Sequence, residues 1–163
     1  FSHGQESGPW GTKIKMMSDL AISIGCKVKS IDYQGIEAVD HRVKKLIDAC
    51  STINDPICLV GSSMGGFVAS AAAMDVRAVG LFVLAPAYFM KGFEYTPFEV
   101  ANIPTEIVHG WHDDIVPVEN SIRFAQQNQS KIHIVNGDHR LTGNIKDINI
   151  YLEIFLNQFI LDS

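Results

Sequence analysis

A serine between glycines is the first feature of this sequence that can do chemistry. Ser63 lies at the centre of Gly61-Ser62-Ser63-Met64-Gly65, which fits the pattern GxSxG. In this pattern a sharp turn from a strand into a helix exposes the serine hydroxyl, and the glycines leave room for the turn. The pattern is short and also arises by chance, so it needs a buried strand before it and a helix after it. A short apolar run and a stretch of small residues supply that context, and we therefore predict a nucleophile at Ser63.

An acid and a histidine follow further along the chain, in the order that a serine nucleophile of this type requires. Asp113 and Asp114 come after one apolar run, and His139 comes after the next. Loops that leave the carboxyl ends of parallel strands share one crevice. We therefore expect Ser63, one of the two aspartates and His139 to meet there, with His139 as general base and the aspartate orienting it.

A negative charge that develops on a reacting carbonyl needs hydrogen-bond donors. The N–H of Met64 would lie at the start of the helix that follows Ser63. Backbone N–H groups are free there and the helix dipole favours negative charge, so this N–H is a candidate oxyanion donor.

Other polar residues near the motifs have simpler interpretations. His112 and Asp114 suggest a metal pair, but no third ligand follows at a recognisable spacing, so we expect no metal and no cofactor. His3 and His109 each precede a glycine and are interpreted as turn or rim residues with structural hydrogen bonds. Asp138 is interpreted as fixing its loop rather than as titrating in catalysis.

The elements that must position these residues alternate regularly. Short runs rich in Val, Ile, Leu and Phe predict strands of a buried parallel sheet at residues 57–60, 79–84, 103–108 and 131–135. Apolar residues at helical spacing predict helices within residues 10–24, 36–50, 66–74, 122–125 and 148–160. Strands alternating with helices form βαβ units. We therefore predict an α/β fold of three layers, α/β/α, with a mostly parallel sheet.

A weaker apolar run covers residues 26–33 and carries three charged side chains, Lys27, Lys29 and Asp32. Charges of this kind are common on edge strands, where they discourage pairing with another molecule. This run is therefore predicted to be a strand at one edge of the sheet.

Composition narrows the class of protein. The 163 residues suit a single domain, predicted over residues 1–163, and 47% of them are apolar. A net charge of −5 argues against nucleic acid or an anionic membrane as a partner. Three cysteines without a CxxC pair argue against a disulfide framework, and no run reads as a membrane span or signal peptide. We expect a cytoplasmic protein with a small-molecule substrate.

Four motifs in this order resemble those of the α/β-hydrolase superfamily, and in particular its small, nearly lidless serine esterases. Besides GxSxG they are an HG oxyanion loop, an HGxxDxxVP acid loop and a GxDH base loop. In this sequence they are Ser2-His3-Gly4-Gln5, residues 109–117 and Gly137-Asp138-His139-Arg140.

The resemblance implies a role for each matching residue. Ser63 would be the nucleophile, His139 the general base and Asp113 its orienting acid, with the neighbouring Asp114 as the less favoured choice. The implied oxyanion donors are the backbone N–H groups of two residues, Gln5 and Met64.

Two departures from the family are visible in the sequence. Too few residues precede the HG loop for the family's first two strands, so the resemblance implies a minimal fold with a sheet of about six strands. The segment where larger members carry a cap, residues 86–102, is short and implies an open site. Five of its side chains could line an acyl pocket or simply pack over the sheet edge: Phe89, Met90, Phe93, Tyr95 and Phe98.

The activity expected from these motifs is hydrolysis of small carboxylic esters or thioesters through an acyl-enzyme on Ser63, as in a carboxylesterase. Two alternatives remain open from the sequence. The same residues could hydrolyse amides or peptides, or the fold could serve as a binding or interaction protein without catalysis.

Overall fold

The sheet at the centre of the fold consists of four parallel strands. A computed structural model describes residues 1–92, 100 and 102–160. Within them the strands pair in chain order, β1 (Cys58–Ser62), β2 (Gly80–Leu84), β3 (Thr105–Gly110) and β4 (Lys131–Val135). Each strand overlaps one of the four predicted apolar runs. Every residue of β2 is buried, because helices cover the sheet on both faces.

Five α-helices occur in this described part of the chain, and each overlaps a predicted helical stretch. They are α1 (Thr12–Ser23), α2 (Val39–Cys50), α3 (Met64–Ala72), α4 (Val118–Asn128) and α5 (Ile145–Ile160). Helices α1 and α5 pack together on one face of the sheet, and α2, α3 and α4 lie on the other. None of these helices is long and apolar enough to cross a bilayer.

The strand side chains divide between two apolar cores. Leu81 and Val83 of β2 join the core beneath α2, α3 and α4, whereas Phe82 and Leu84 join the core beneath α1 and α5. Successive side chains of a strand point to opposite faces, so one buried strand contributes to both cores. The predicted three-layer α/β fold is confirmed.

Beyond β1 the sheet continues only as isolated bridges. Ser2 pairs in parallel with Gly61 of β1 on one side and with Ile31 on the other. The 26–33 run is therefore outermost, as predicted, but its predicted strand is reduced to one bridge at Ile31. On the C-terminal side of this bridge the Tyr33 N–H donates to the His3 ring rather than to a backbone carbonyl, so the ladder does not continue there. The expected six strands become four strands and two single-bridge positions.

Candidate active site

Three loops meet at the carboxyl ends of the strands. β1 leads to Ser63, β3 leads to the loop of Asp113, and β4 leads to the loop of His139. Since the strands are parallel, these loops lie at the same edge of the sheet. His139 Nε2 lies 3.0 Å from Ser63 Oγ, and His139 Nδ1 lies 2.8 Å from Asp113 Oδ2. The structure thus brings the three predicted residues together in one hydrogen-bonded chain.

Ser63 occupies a strained backbone conformation between β1 and α3. Its φ of 55° and ψ of −123° lie in a region that residues with a side chain rarely adopt. Such a conformation costs about 1–3 kcal/mol and persists only where its surroundings hold it. Here the Ser63 N–H donates to the Leu84 carbonyl at 2.9 Å, and the Ser63 carbonyl accepts from the N–H of Gly66 at 2.9 Å. The neighbouring strand and the first turn of α3 therefore fix the serine.

Two glycines make this turn possible through close backbone contact. A Cβ on Gly61 would collide with the Gly65 carbonyl, and a Cβ on Gly65 would collide with the Ser2 carbonyl oxygen. The chain at Ser2 therefore runs directly against the N-terminus of α3. The two glycines of GxSxG are therefore explained by these close backbone contacts, which leave no room for a Cβ, rather than by a need for a flexible backbone.

The hydrogen bonds identify which nitrogen of the His139 ring carries the proton. An ionised carboxylate only accepts, so Nδ1 donates to Asp113. In the neutral ring Nε2 then has a free lone pair and accepts the hydroxyl proton of Ser63. This is the protonation state in which a histidine can remove a proton from a serine.

The Asp113 carboxylate is fully buried and accepts hydrogen bonds on both oxygens. Oδ1 accepts the N–H groups of Ile115 at 2.9 Å and Val116 at 2.8 Å, and Oδ2 faces His139 and His109. Burial alone would raise the pKa of Asp113, but these four hydrogen bonds outweigh it and hold the pKa well below its usual range. The carboxylate is therefore ionised throughout the neutral range. The neighbouring Asp114 is exposed to solvent.

His109 is a second support for this carboxylate. Its Nε2 lies 3.0 Å from Asp113 Oδ2 and 2.9 Å from the Val116 carbonyl. Both partners are acceptors, so Nε2 carries the proton and Nδ1 accepts from the Ser121 hydroxyl at 2.7 Å. The prediction that His109 makes structural hydrogen bonds is confirmed. The hydrogen bond from His109 to Asp113 was not predicted from the sequence, because no sequence motif indicates it.

The base loop, residues 137–140, is fixed on both sides of His139. The Gly137 carbonyl accepts the N–H of His112 at 3.0 Å. On the other side Leu141 has a left-handed backbone, with a φ of 54°, and its N–H donates to Asp138 Oδ1 at 2.9 Å. Asp138 therefore fixes its loop, as predicted. Among the residues that the structure describes, no three acidic, histidine or cysteine side chains are grouped so that they could hold a metal ion.

His3 orients the predicted oxyanion loop. Its Nε2 accepts the N–H of Tyr33 at 2.9 Å, so Nδ1 carries the proton and donates to the Gly4 carbonyl at 2.7 Å. Burial lowers the pKa of His3, which favours this neutral ring. The Gly4–Gln5 peptide is trans, so its N–H points opposite to its carbonyl. The Gln5 N–H therefore points away from the buried His3.

The two predicted oxyanion donors belong to residues before and after Ser63 in the chain, Gln5 and Met64. A Cβ built on Gly4 would lie 3.5 Å from the Ser63 Cβ, so the loop before Gln5 packs against the serine. Met64 is the first residue of α3, and its N–H has no carbonyl four residues earlier within the helix.

Two exposed apolar side chains belong to the acid loop. Trp111 and Ile115, close to Asp113 in sequence, are 58% and 56% exposed. Of the five predicted acyl-pocket residues, Phe89 and Met90 are partly buried and pack against the core beneath α2, α3 and α4. The other three, Phe93, Tyr95 and Phe98, lie outside the described residues.

The alpha/beta hydrolase domain family matches residues 33–149, which is more than half of the chain. The protein belongs to the alpha/beta hydrolase family. The matched range contains Ser63, Asp113 and His139, whereas the HG oxyanion loop precedes it. A search among curated proteins found no match.

Solved structures of other proteins superpose on nearly the whole chain. A protein of the alpha/beta superfamily from Xanthomonas campestris pv. campestris is 26% identical, with a TM-score of 0.85 over 96% of this chain and 95% of that one. Est1E from Butyrivibrio proteoclasticus is 18% identical, with a TM-score of 0.83 over 98% and 86%. XC6422 from Xanthomonas campestris, described as an a/b serine hydrolase without lid, is 16% identical, with a TM-score of 0.73 over 94% and 77%. The last two show similarity of fold alone.

Proposed function

We propose that this alpha/beta hydrolase cleaves small carboxylic esters or thioesters through an acyl-enzyme on Ser63. The observation that carries the proposal is the continuous hydrogen-bonded chain from Ser63 Oγ through His139 to the buried Asp113. A nucleophile, a base within reach of its proton and an acid that orients the base are the parts that acyl transfer needs.

In the first half of the proposed reaction, His139 Nε2 accepts the hydroxyl proton as Ser63 Oγ attacks the acyl carbonyl. The imidazolium that forms keeps its Nδ1–H on the Asp113 carboxylate, which stabilises the positive charge. The bond to the alcohol or thiol then breaks, and the leaving group takes the proton from His139. The acyl group remains on Ser63.

Two backbone N–H groups are proposed to bind the oxyanion of this step. The Gln5 N–H is turned away from the interior by the hydrogen bond from His3 to the Gly4 carbonyl. The Met64 N–H opens α3 and benefits from the positive end of the helix dipole. Removal of one such donor in comparable enzymes costs about 10²–10³ in turnover.

In the second half, His139 removes a proton from water as the water attacks the acyl carbonyl. The serine leaves with that proton, and the carboxylic acid is released. In the proposed reaction every proton transfer goes through His139. The proposed steps use no cofactor and no metal.

The substrate class is proposed to be small or extended acyl esters and thioesters. The short segment between β2 and β3 supports this, because it holds too few residues for a cap domain. The exposed Trp111 and Ile115 provide apolar surface on the acid loop, which suits an acyl chain more than a charged substrate.

Covalent labelling with a fluorophosphonate tests the proposal. We expect one adduct on the native protein, none on Ser63→Ala, and an adduct on Ser62→Ala, which changes the neighbouring serine. Native protein that has not been labelled is then offered a choice of substrates, namely an ester, a thioester and an anilide of the same acyl group. Faster turnover of the anilide would favour an amidase. No adduct on folded native protein would refute the proposal and favour a binding protein.

A further inference from the structure

Lys13 joins α1 to the base loop. It lies in the first turn of α1, half-buried, and its ammonium donates to the Arg140 carbonyl at 2.8 Å. The two residues are 127 positions apart, so this bond ties together segments that the chain brings in from opposite ends. A hydrogen bond from a charged donor is shorter and stronger than one between neutral groups.

The bonded carbonyl directly follows the histidine that the proposed reaction uses. On its N-terminal side the base loop is held by the bond between Gly137 and His112. On its C-terminal side the Asp138 carboxylate holds Leu141 from within the same stretch of chain. The bond from Lys13 also holds the C-terminal side of the base loop, but it comes from α1. It therefore fixes the loop relative to another element, whereas a hydrogen bond within the loop fixes only its local shape.

Two carboxylates, one on each neighbouring loop, act on the Lys13 ammonium. Burial lowers the pKa of Lys13 to about 8, while Asp138 of the base loop and Asp113 of the acid loop oppose this by raising it. The charge that strengthens the bond to Arg140 is therefore present at neutral pH and declines in mildly alkaline solution.

We propose that Lys13 is a positioning residue, which holds the Arg140 carbonyl and thereby keeps His139 Nε2 aligned with Ser63. This role rests on the proposed function, because the alignment of His139 affects catalysis only if His139 acts on Ser63. Positioning matters at this scale, because a misplacement of about 1 Å can lower a rate by roughly 10²-fold.

Three variants separate positioning from a general effect on the helix. Lys13→Met removes the donor, Lys13→Arg keeps a charged donor, and Lys15→Met is the matched control on an exposed position of the same helix. We expect fluorophosphonate labelling and kcat to fall at least about tenfold in Lys13→Met with little change in KM. Lys13→Arg should recover part of the rate, and Lys15→Met should match the native protein.

Hydrogen exchange of the backbone N–H groups of residues 137–141 provides a readout that requires no catalysis. Exchange of these groups should be faster in Lys13→Met than in the native protein or Lys15→Met. The native protein can be tested in a similar way without any substitution. After correction for intrinsic exchange, exchange of residues 137–141 should become faster between pH 7 and pH 9.5, as Lys13 loses its charge. The change should be smaller in Lys13→Arg, because arginine keeps its charge.

Unchanged exchange and unchanged labelling in Lys13→Met would overturn the proposal. If Lys13→Met fails to fold, Lys13→Ala is compared with the native protein in the same two measurements, and unchanged exchange and labelling there would overturn the proposal. If the native protein is never labelled, the proposed function fails, while the exchange experiment still shows whether Lys13 holds the base loop.

Discussion

The substitution Asp113→Asn has an effect that can be worked out from the hydrogen bonds around the carboxylate. Oδ1 accepts two backbone N–H groups, from Ile115 and Val116, so in the variant the amide oxygen must take this position. The amide NH₂ then takes the position of Oδ2, where it faces the Nδ1–H of His139. Two donors cannot bond to each other, so the arrangement favours the other tautomer of the ring.

In that tautomer His139 carries its proton on Nε2 and donates to Ser63 instead of accepting from it. The base is lost although every heavy atom stays in place. We expect kcat to fall by about 10⁴, as when the orienting acid is replaced in serine proteases, which corresponds to about 5 kcal/mol of transition-state stabilisation.

The assay is hydrolysis of a chromogenic ester, with circular dichroism to establish that the variant is folded. Asp114→Asn is the matched control, because Asp114 is adjacent but exposed, and its activity should remain close to that of the native protein. A decrease of less than tenfold in Asp113→Asn, or an equal decrease in both variants, would refute this reasoning.

Two further predictions concern stability. The depressed pKa of Asp113 means that in acid the folded protein binds fewer protons than the unfolded chain. The urea midpoint of the native protein should therefore fall as the pH drops below about 4, the pKa of an aspartate in an unfolded chain. Part of this fall should be missing in Asp113→Asn. A pH dependence identical in both proteins would contradict the account of the carboxylate. Gly65→Ala should lower the free energy of unfolding by about 1–3 kcal/mol, because its Cβ would collide with the Ser2 carbonyl. Gly143→Ala, with open space at its Cβ, is the control, and equal midpoints for the two variants would argue against close packing at the elbow.

The sequence predicted the layers and the order of elements because buried strands and amphipathic helices leave strong local patterns. The run at residues 131–135 coincides with β4, and the other three strands begin one or two residues after their runs. The 26–33 run was predicted less well, because its pairing depends on how long the chain around Ser2 stays beside it. Strand length at an edge is a property of the neighbour, which the local sequence does not contain.

In the candidate site, too, residues with local sequence causes could be predicted, whereas contacts between distant segments could not. Ser63 and His139 belong to motifs with local causes, a sharp turn and a loop at a strand end, and the structure places them where those motifs require. The choice between Asp113 and Asp114 depended on a family spacing, and in the structure it follows from burial and four hydrogen bonds. Lys13 could not be found from the sequence, since its bond to Arg140 joins segments 127 residues apart.

The central claim is that hydrolysis proceeds through an acyl group on Ser63. It is tested most directly by mixing the protein with an activated ester, quenching with acid and locating the added acyl mass by peptide mapping. We expect an acyl group on Ser63 in the native protein, its accumulation in step with release of the first equivalent of leaving group, and neither event in Ser63→Ala. Steady release of product with no acyl group on Ser63, or with the group on another residue, would contradict it.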